Sequence, residues 1–203
     1  MKIIVLLLTI FLSLSICLSP VQAQTFEKMP GSAVAIAMNP ATGKVYVVGT
    51  SKNVFSWDRR AQKFIRVGNP IKAQQVAATT DGKVWIIGEK NAVYRSSGTS
   101  WQIVKPNMAA RHLTSDIQGR PWVCFAPNGK PTFWNGSRWE FPQQLQGYFD
   151  KMALKDPSDV WVIQEDQSMR RFNNNQWRDI PGSALDIAIA PRRNEVYCVG
   201  TSR

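Results

Sequence analysis

One histidine and three cysteines are all that this 203-residue chain offers to a transition metal or a thiol mechanism. No Cys-x-x-Cys or His-Glu-x-x-His spacing occurs, which excludes the familiar zinc sites. Helical apolar spacing is missing from every long window past the first residues, so regular structure has to come from strands. Acidic side chains are few, 14 against 25 Lys and Arg, for a net charge of +11. Glu165-Asp166 is the one carboxylate pair worth weighing for glycoside hydrolysis, and as neighbours in a turn they read as solvated. His112, on an inner strand, reads as structural or as lining an axial channel. No metal and no cofactor is expected, and the chain reads as a non-enzyme.

Its long apolar run is also too short to span a membrane. Ile3 to Leu18 falls below the roughly 20 residues of a spanning helix. With Lys2 before it and Val21-Gln-Ala23 after it, residues 1–23 read as a signal peptide cleaved after Ala23. The expectation is a secreted or periplasmic protein with no transmembrane segment in its mature part, residues 24–203. That part holds only Cys124 and Cys198, both in mid-strand and read as buried free thiols rather than a bridge.

What the chain does have is repetition. Pro30-Gly-Ser-Ala33 returns as Pro181-Gly-Ser-Ala184, and Val45-Tyr-Val-Val-Gly-Thr-Ser51 as Val196-Tyr-Cys-Val-Gly-Thr-Ser202, both displaced by 151 residues. An opening aromatic recurs as Phe26, Phe64, Trp101, Trp139 and Trp177, and a second as Tyr46, Trp85, Trp122, Trp161 and Tyr197. A period of about 38 residues marks a repeat architecture. The units run over about 26–63, 64–100, 101–138, 139–176 and 177–203.

Each unit reads as four short strands separated by turn residues. In the second unit these are Phe64 to Val67, Gln75 to Ala78, Lys83 to Ile87 and Ala92 to Arg95, with Gly68-Asn-Pro70 and Asp81-Gly82 at turns. Val45-Tyr-Val-Val48 and Val84-Trp-Ile-Ile87 are apolar on both faces, unlike the strands of a two-sheet sandwich. Ala35, Ala37, Ala77, Ala78, Ala153 and Ala188 place small side chains on one strand per unit, as strands crowded around an axis require. The fold class is all-β: a β-propeller of about five four-stranded blades, the last incomplete. Its inner strands, Leu185 to Ile189 and Glu195 to Val199, lack a third, and Phe26 to Met29 is the candidate for its outer strand. A three-stranded blade, an open edge that recruits another chain, and an early end to the frame all satisfy the sequence.

Trp177-Arg-Asp-Ile-Pro-Gly-Ser-Ala-Leu-Asp-Ile-Ala-Ile with Val196-Tyr197 resembles the tectonin repeat, as do Val93-Tyr-Arg95 and Met169-Arg-Arg-Phe172. The third and fourth units depart from it, at Arg111-His-Leu113 and at Gln143 to Gly147 in place of Pro-Gly. The resemblance implies a propeller similar to tectonins and tachylectin-type lectins, several of which bind lipopolysaccharide or other glycans. Expected partners are therefore a glycan or lipopolysaccharide, an anionic envelope surface drawn by the positive charge, or a protein; nucleic acid is not expected.

For such binding, the opening tryptophans recur too regularly to be anything but packing. Trp57 and Trp134 fall outside that series and are candidate contacts. Between the third and fourth strand of each unit, Lys52, Asn53, Lys90, Asn91, Asn128, Lys130, Asp166 and Gln167 offer amides and cations in phase, one cluster per blade. The alternative for these loops is that Asn merely tolerates a left-handed turn. A protein scaffold working through the propeller face or an open blade edge is the rival function.

Overall fold

The structure, a computed structural model, describes residues 29–105, 109–127, 129–190 and 195–200. Blade one joins β1 (Ala33–Met38), β2 (Val45–Gly49), β3 (Val54–Asp58) and β4 (Lys63–Arg66). Blade two joins β5 (Gln75–Ala78), β6 (Val84–Ile87), β7 (Val93–Ser97) and β8 (Ser100–Lys105). Blade three joins β9 (Ala110–Ser115), β10 (Pro121–Phe125), β11 (Lys130–Trp134) and β12 (Trp139–Glu140). Blade four joins β13 (Lys151–Asp156), β14 (Asp159–Ile163), β15 (Ser168–Asn173) and the first part of β16 (Gln176–Ala190). The rest of β16 forms a terminal hairpin with β17 (Glu195–Gly200). All pairings are antiparallel and follow chain order. The arrangement is that of a propeller: four complete blades and a two-stranded fifth sheet.

Burial explains the order. Every residue of β6 and β10 is buried, so the second strands of blades two and three are covered on both faces by neighbouring blades. Between blades one and two, Tyr46, Val48 and Val54 meet Val76, Ala78, Val84 and Ile86. Between blades three and four, Trp122 and Cys124 meet Met152, Leu154, Val160 and Val162. The first strands pack in sequence, β1 on β5, β5 on β9, β9 on β13 and β13 on β16, which makes them the innermost. Ala77, Ala78 and Ala153 supply the small side chains that this crowding demands.

Hydrogen bonds lock the turns after these inner strands to one another. Asn39 Nδ2 donates to Thr79 O at 2.7 Å, Thr80 Oγ1 to Gln118 O at 2.8 Å, and Ile117 N to Lys155 O at 3.1 Å. Asp116, buried next to them, accepts from Arg120 Nε at 2.7 Å and Trp122 Nε1 at 3.0 Å. A buried carboxylate is tolerated there because charge and lone pairs are both satisfied.

Two expectations need correction. The tectonin resemblance implies a Pro-Gly turn between two strands at Pro181-Gly182, but β16 runs through it for 15 residues. The surplus residues are absorbed as a bulge, where the register jumps from Met169↔Ile180 to Ser168↔Ser183. Of the two free thiols, Cys124 is buried and Cys198 is exposed. The 151-residue displacement places Cys198 at the position of Val47, which is covered by Phe55 of β3. Beside β17 the described residues provide no such third strand. Burial raises the Cys124 thiol pKa, and the partial desolvation left at exposed Cys198 acts in the same direction. The candidate outer strand from Phe26 lies outside the described residues except for Met29. No helix among the described residues is long and apolar enough to cross a membrane.

Gly82 and Gly119 both hold left-handed backbone, with φ +79 and +77, in very different space. A Cβ at Gly82 meets nothing within 4 Å, whereas one at Gly119 overlaps the backbone nitrogen of Thr80 in the next blade. Chemical denaturation should therefore show Gly82→Ala losing only the conformational cost, about 1–2 kcal/mol. Gly119→Ala should lose clearly more, because it also forces blades two and three apart.

Candidate functional site

The loops between second and third strands share one end of the propeller with the links that lead from blade to blade. Ala73 N donates to Lys52 O at 2.8 Å, and Ala184 N to Gln167 O at 3.0 Å. The loops are tight turns: Lys52, Lys90, Asn91 and Gln167 all have left-handed backbone, with φ 63, 53, 57 and 70. The Asn53, Asn91 and Asp166 side chains bond within these turns or to the links beside them. Asn53 Oδ1 accepts from Ile71 N at 3.2 Å, and Asn91 Oδ1 from Gln74 Nε2 at 3.1 Å. Asp166 Oδ1 accepts from the Ser168 hydroxyl and N–H, and these bonds, the hydroxyl's first, lower its pKa. Glu165 pairs with Arg111 rather than standing beside Asp166 as a catalytic partner. The amides recur in phase because the turns recur in phase.

The two tryptophans also have a place in the repeat. Trp57, Ser96, Trp134 and Phe172 stand directly opposite the opening aromatics Phe64, Trp101, Trp139 and Trp177. Trp57 packs edge-on to Phe64 at 4.9 Å. Trp134 lies between blades two and three, 5.9 Å from Trp85 and 5.5 Å from Trp139. The structure thus places both in packing, and Trp101, Trp139 and Trp177 with them.

Lys130 is placed differently. The link that follows blade three departs from the repeat, running from Phe141 to Asp150 without the Pro-Gly of the other units. Leu145 and Phe149 anchor it in the core between blades three and four, leaving Gln143, Gln146 and Tyr148 exposed. Gly129 lets the adjacent loop approach closely, since a Cβ there would lie 2.6 Å from Phe149 N. The result is a recess of about 260 Å³ lined by Lys130, Phe141, Gln143, Gln146, Gly147 and Tyr148. The Lys130 ammonium stands 5.2 Å from the centre of the Phe141 ring. Asn128, the neighbouring candidate, lies outside the described residues. Sequence reading found Lys130 but missed Tyr148 and the glutamines, whose signal was the departure from the repeat itself.

Several of the cations stand in ion pairs. Arg171 holds Asp159 through two bonds of 2.8 and 2.9 Å, and this bonding raises the guanidinium pKa. Arg170 pairs with Asp179, Arg120 with Asp116 and Lys151 with Asp186. Among the described residues Lys52, Arg59, Arg60, Lys90 and Lys130 make no ion pair. No group of three or more His, Cys, Asp or Glu side chains among the described residues has a metal-holding arrangement.

His112, on β9, brings its Nε2 within 2.9 Å of Met152 O on β13, and as a donor it joins two inner strands. Burial disfavours the imidazolium and lowers its pKa, with the Met152 carbonyl opposing.

No family model and no curated protein matches this chain. Solved structures do. It is similar to YCF48 bound to D1 peptide, with 15% identity and TM-score 0.56 over 81% of this chain and 60% of that one. It is similar to hydrazine synthase of Kuenenia stuttgartiensis, with 16% identity and TM-score 0.57 over 85% of this chain and 56% of that one. It also resembles the GH74 enzyme of Niastella koreensis, with 16% identity and TM-score 0.60 over 84% and 29%. The chain spans less than two thirds of each. At these identities the likeness shows the fold, a β-propeller, which serves enzymes and a peptide-bound protein alike.

The lowered pKa of His112 fixes a sign for stability. The unfolded chain takes up the proton first as pH falls through about 6.5, so stability is complete above that pH and declines below it. The melting temperature should fall between about pH 7 and pH 5, ahead of losses from Asp58, Asp156 and Asp166 near pH 4 and below. His112→Gln, which retains a donor, should flatten the upper part of that curve.

Proposed function

We propose that this chain is an exported, non-catalytic recognition propeller of the tectonin kind, with about five blades counting the terminal hairpin. Its ligand is a glycan of the cell envelope that carries an anionic substituent, as lipopolysaccharide does. The carrying observation is the recess on blade three. There an exposed tyrosine, a phenylalanine under an ammonium group and two free-reaching glutamines surround about 260 Å³. Aromatic faces suit the C–H side of a pyranose, amides suit its hydroxyls, and Lys130 suits a phosphate or carboxylate. Lys52, Lys90, Arg59 and Arg60 add long-range attraction to an anionic surface. The apolar run Ile3 to Leu18, ending in Val21-Gln-Ala23, supports export. A protein partner is the second reading, favoured by the likeness to a propeller bound to a peptide.

Binding of the purified chain to glycan and lipopolysaccharide arrays, at low and high salt, tests this. Binding that survives high salt, and that weakens roughly tenfold or more in both Tyr148→Ala and Lys130→Ala, is the expected result. Absence of binding, or binding indifferent to both substitutions, removes the glycan reading from this recess and leaves a peptide partner as the occupant to test.

A further inference from the structure

The two ends of the blade series expose apolar faces that are copies of faces packed against one another inside the molecule. At the far end, β16 and β17 repeat β1 and β2 with a displacement of 151 residues. Ala37 pairs with Tyr46 and Ala35 with Val48 in the first sheet; Ala188 pairs with Tyr197 and Asp186 with Val199 in the last. In the first sheet that face is buried, Val48 completely, because blade two covers it. In the last, Val199 is 60% exposed and Tyr197, the counterpart of Tyr46, 57%.

At the near end, the register aligns Ile36, Met38, Val45 and Val47 of blade one with Val76, Ala78, Val84 and Ile86 of blade two. Those residues of blade two are the ones that receive Tyr46 and Val48. On blade one the β1 half of the corresponding face is open, with Ile36 71% and Met38 55% exposed, while Val47 beside them is buried. Among the described residues, the last sheet therefore carries a face that fits blade two's receiving surface, and the first sheet a near copy of that surface. The one polar departure, Asp186 at the place of Ala35, is paired with Lys151.

We infer that this chain associates head to tail with a second copy of itself. The face of Ala188 and Val199 on one copy seats on Ile36 and Met38 of the next, repeating the joint between blades one and two. The same copy does not meet this need, since both faces stay exposed in one molecule while β16 holds the hairpin in line with blade four. The contact is heterologous, joining different surfaces of the two copies, and closes into a ring or continues according to the angle at the joint. Burying Ile36 and Val199 supplies the driving force, and a charge introduced at either is desolvated without a partner.

Sedimentation velocity over a range of concentrations, with the purified chain and no ligand, tests this. Wild type should gain mass with concentration. Ile36→Asp and Val199→Asp should each remain monomeric, or need a roughly tenfold or higher concentration to assemble. An equimolar mixture of the two should recover a dimer that grows no further, because each variant keeps the face that the other lacks. Both sites are exposed, so the folded state should melt as wild type does; Met38→Lys and Ala188→Lys substitute for any variant that fails that check. A wild type that stays monomeric throughout, or assembly that survives all four substitutions, overturns the inference. The recess at Lys130 takes no part in the contact, so a negative glycan result leaves this test intact.

Discussion

The structure depends on burial of one strand per blade from both sides. β6, β10 and β14 cannot be satisfied within their own sheets, since a single sheet leaves their outward faces in water. Each blade acquires its core only from its neighbours, so stability accrues through joints rather than within repeats. With about 25 cal/mol released per Å² of apolar surface removed from water, the residues at these joints dominate the favourable side of folding. The polar residues of the inner turns, Asn39, Thr79 and Asp116, sit where the joints leave backbone groups in need of partners.

That dependence also explains the ends. An interior blade has two neighbours, while the first and the last have one each, and the faces left over retain the composition of core. Val48 and Val199 show it most plainly: the same residue at the same repeat position is fully covered in one place and open in the other. Terminal repeats of stacked architectures usually carry polar caps. Among the described residues, these do not.

The fold was legible because periodicity and two-sided apolar strands leave few architectures standing. Strand positions followed from turn chemistry, and β5 from Gln75 to Ala78 matches its expected limits. The continuity of β16 was not legible, because Pro-Gly serves a turn and a bulge equally well. Cys198 was misread for a related reason: mid-strand position implies burial only when a third strand is there to cover it.

The candidate site was only partly legible. Lys52, Asn91 and Gln167 recur where left-handed turns recur, and Trp57 and Trp134, which fall outside the recurring series, stand opposite opening aromatics. The recess around Lys130 arises where the repeat is broken, at Gln143 to Tyr148, and a break carries no pattern of its own. Native-state amide hydrogen exchange tests the central claim most directly. Slowest exchange in β6, β10 and β14, with the outer strands β4, β8 and β12 exchanging far faster, is what joint-based stability requires. Equal protection of outer and second strands would contradict it and place the core elsewhere.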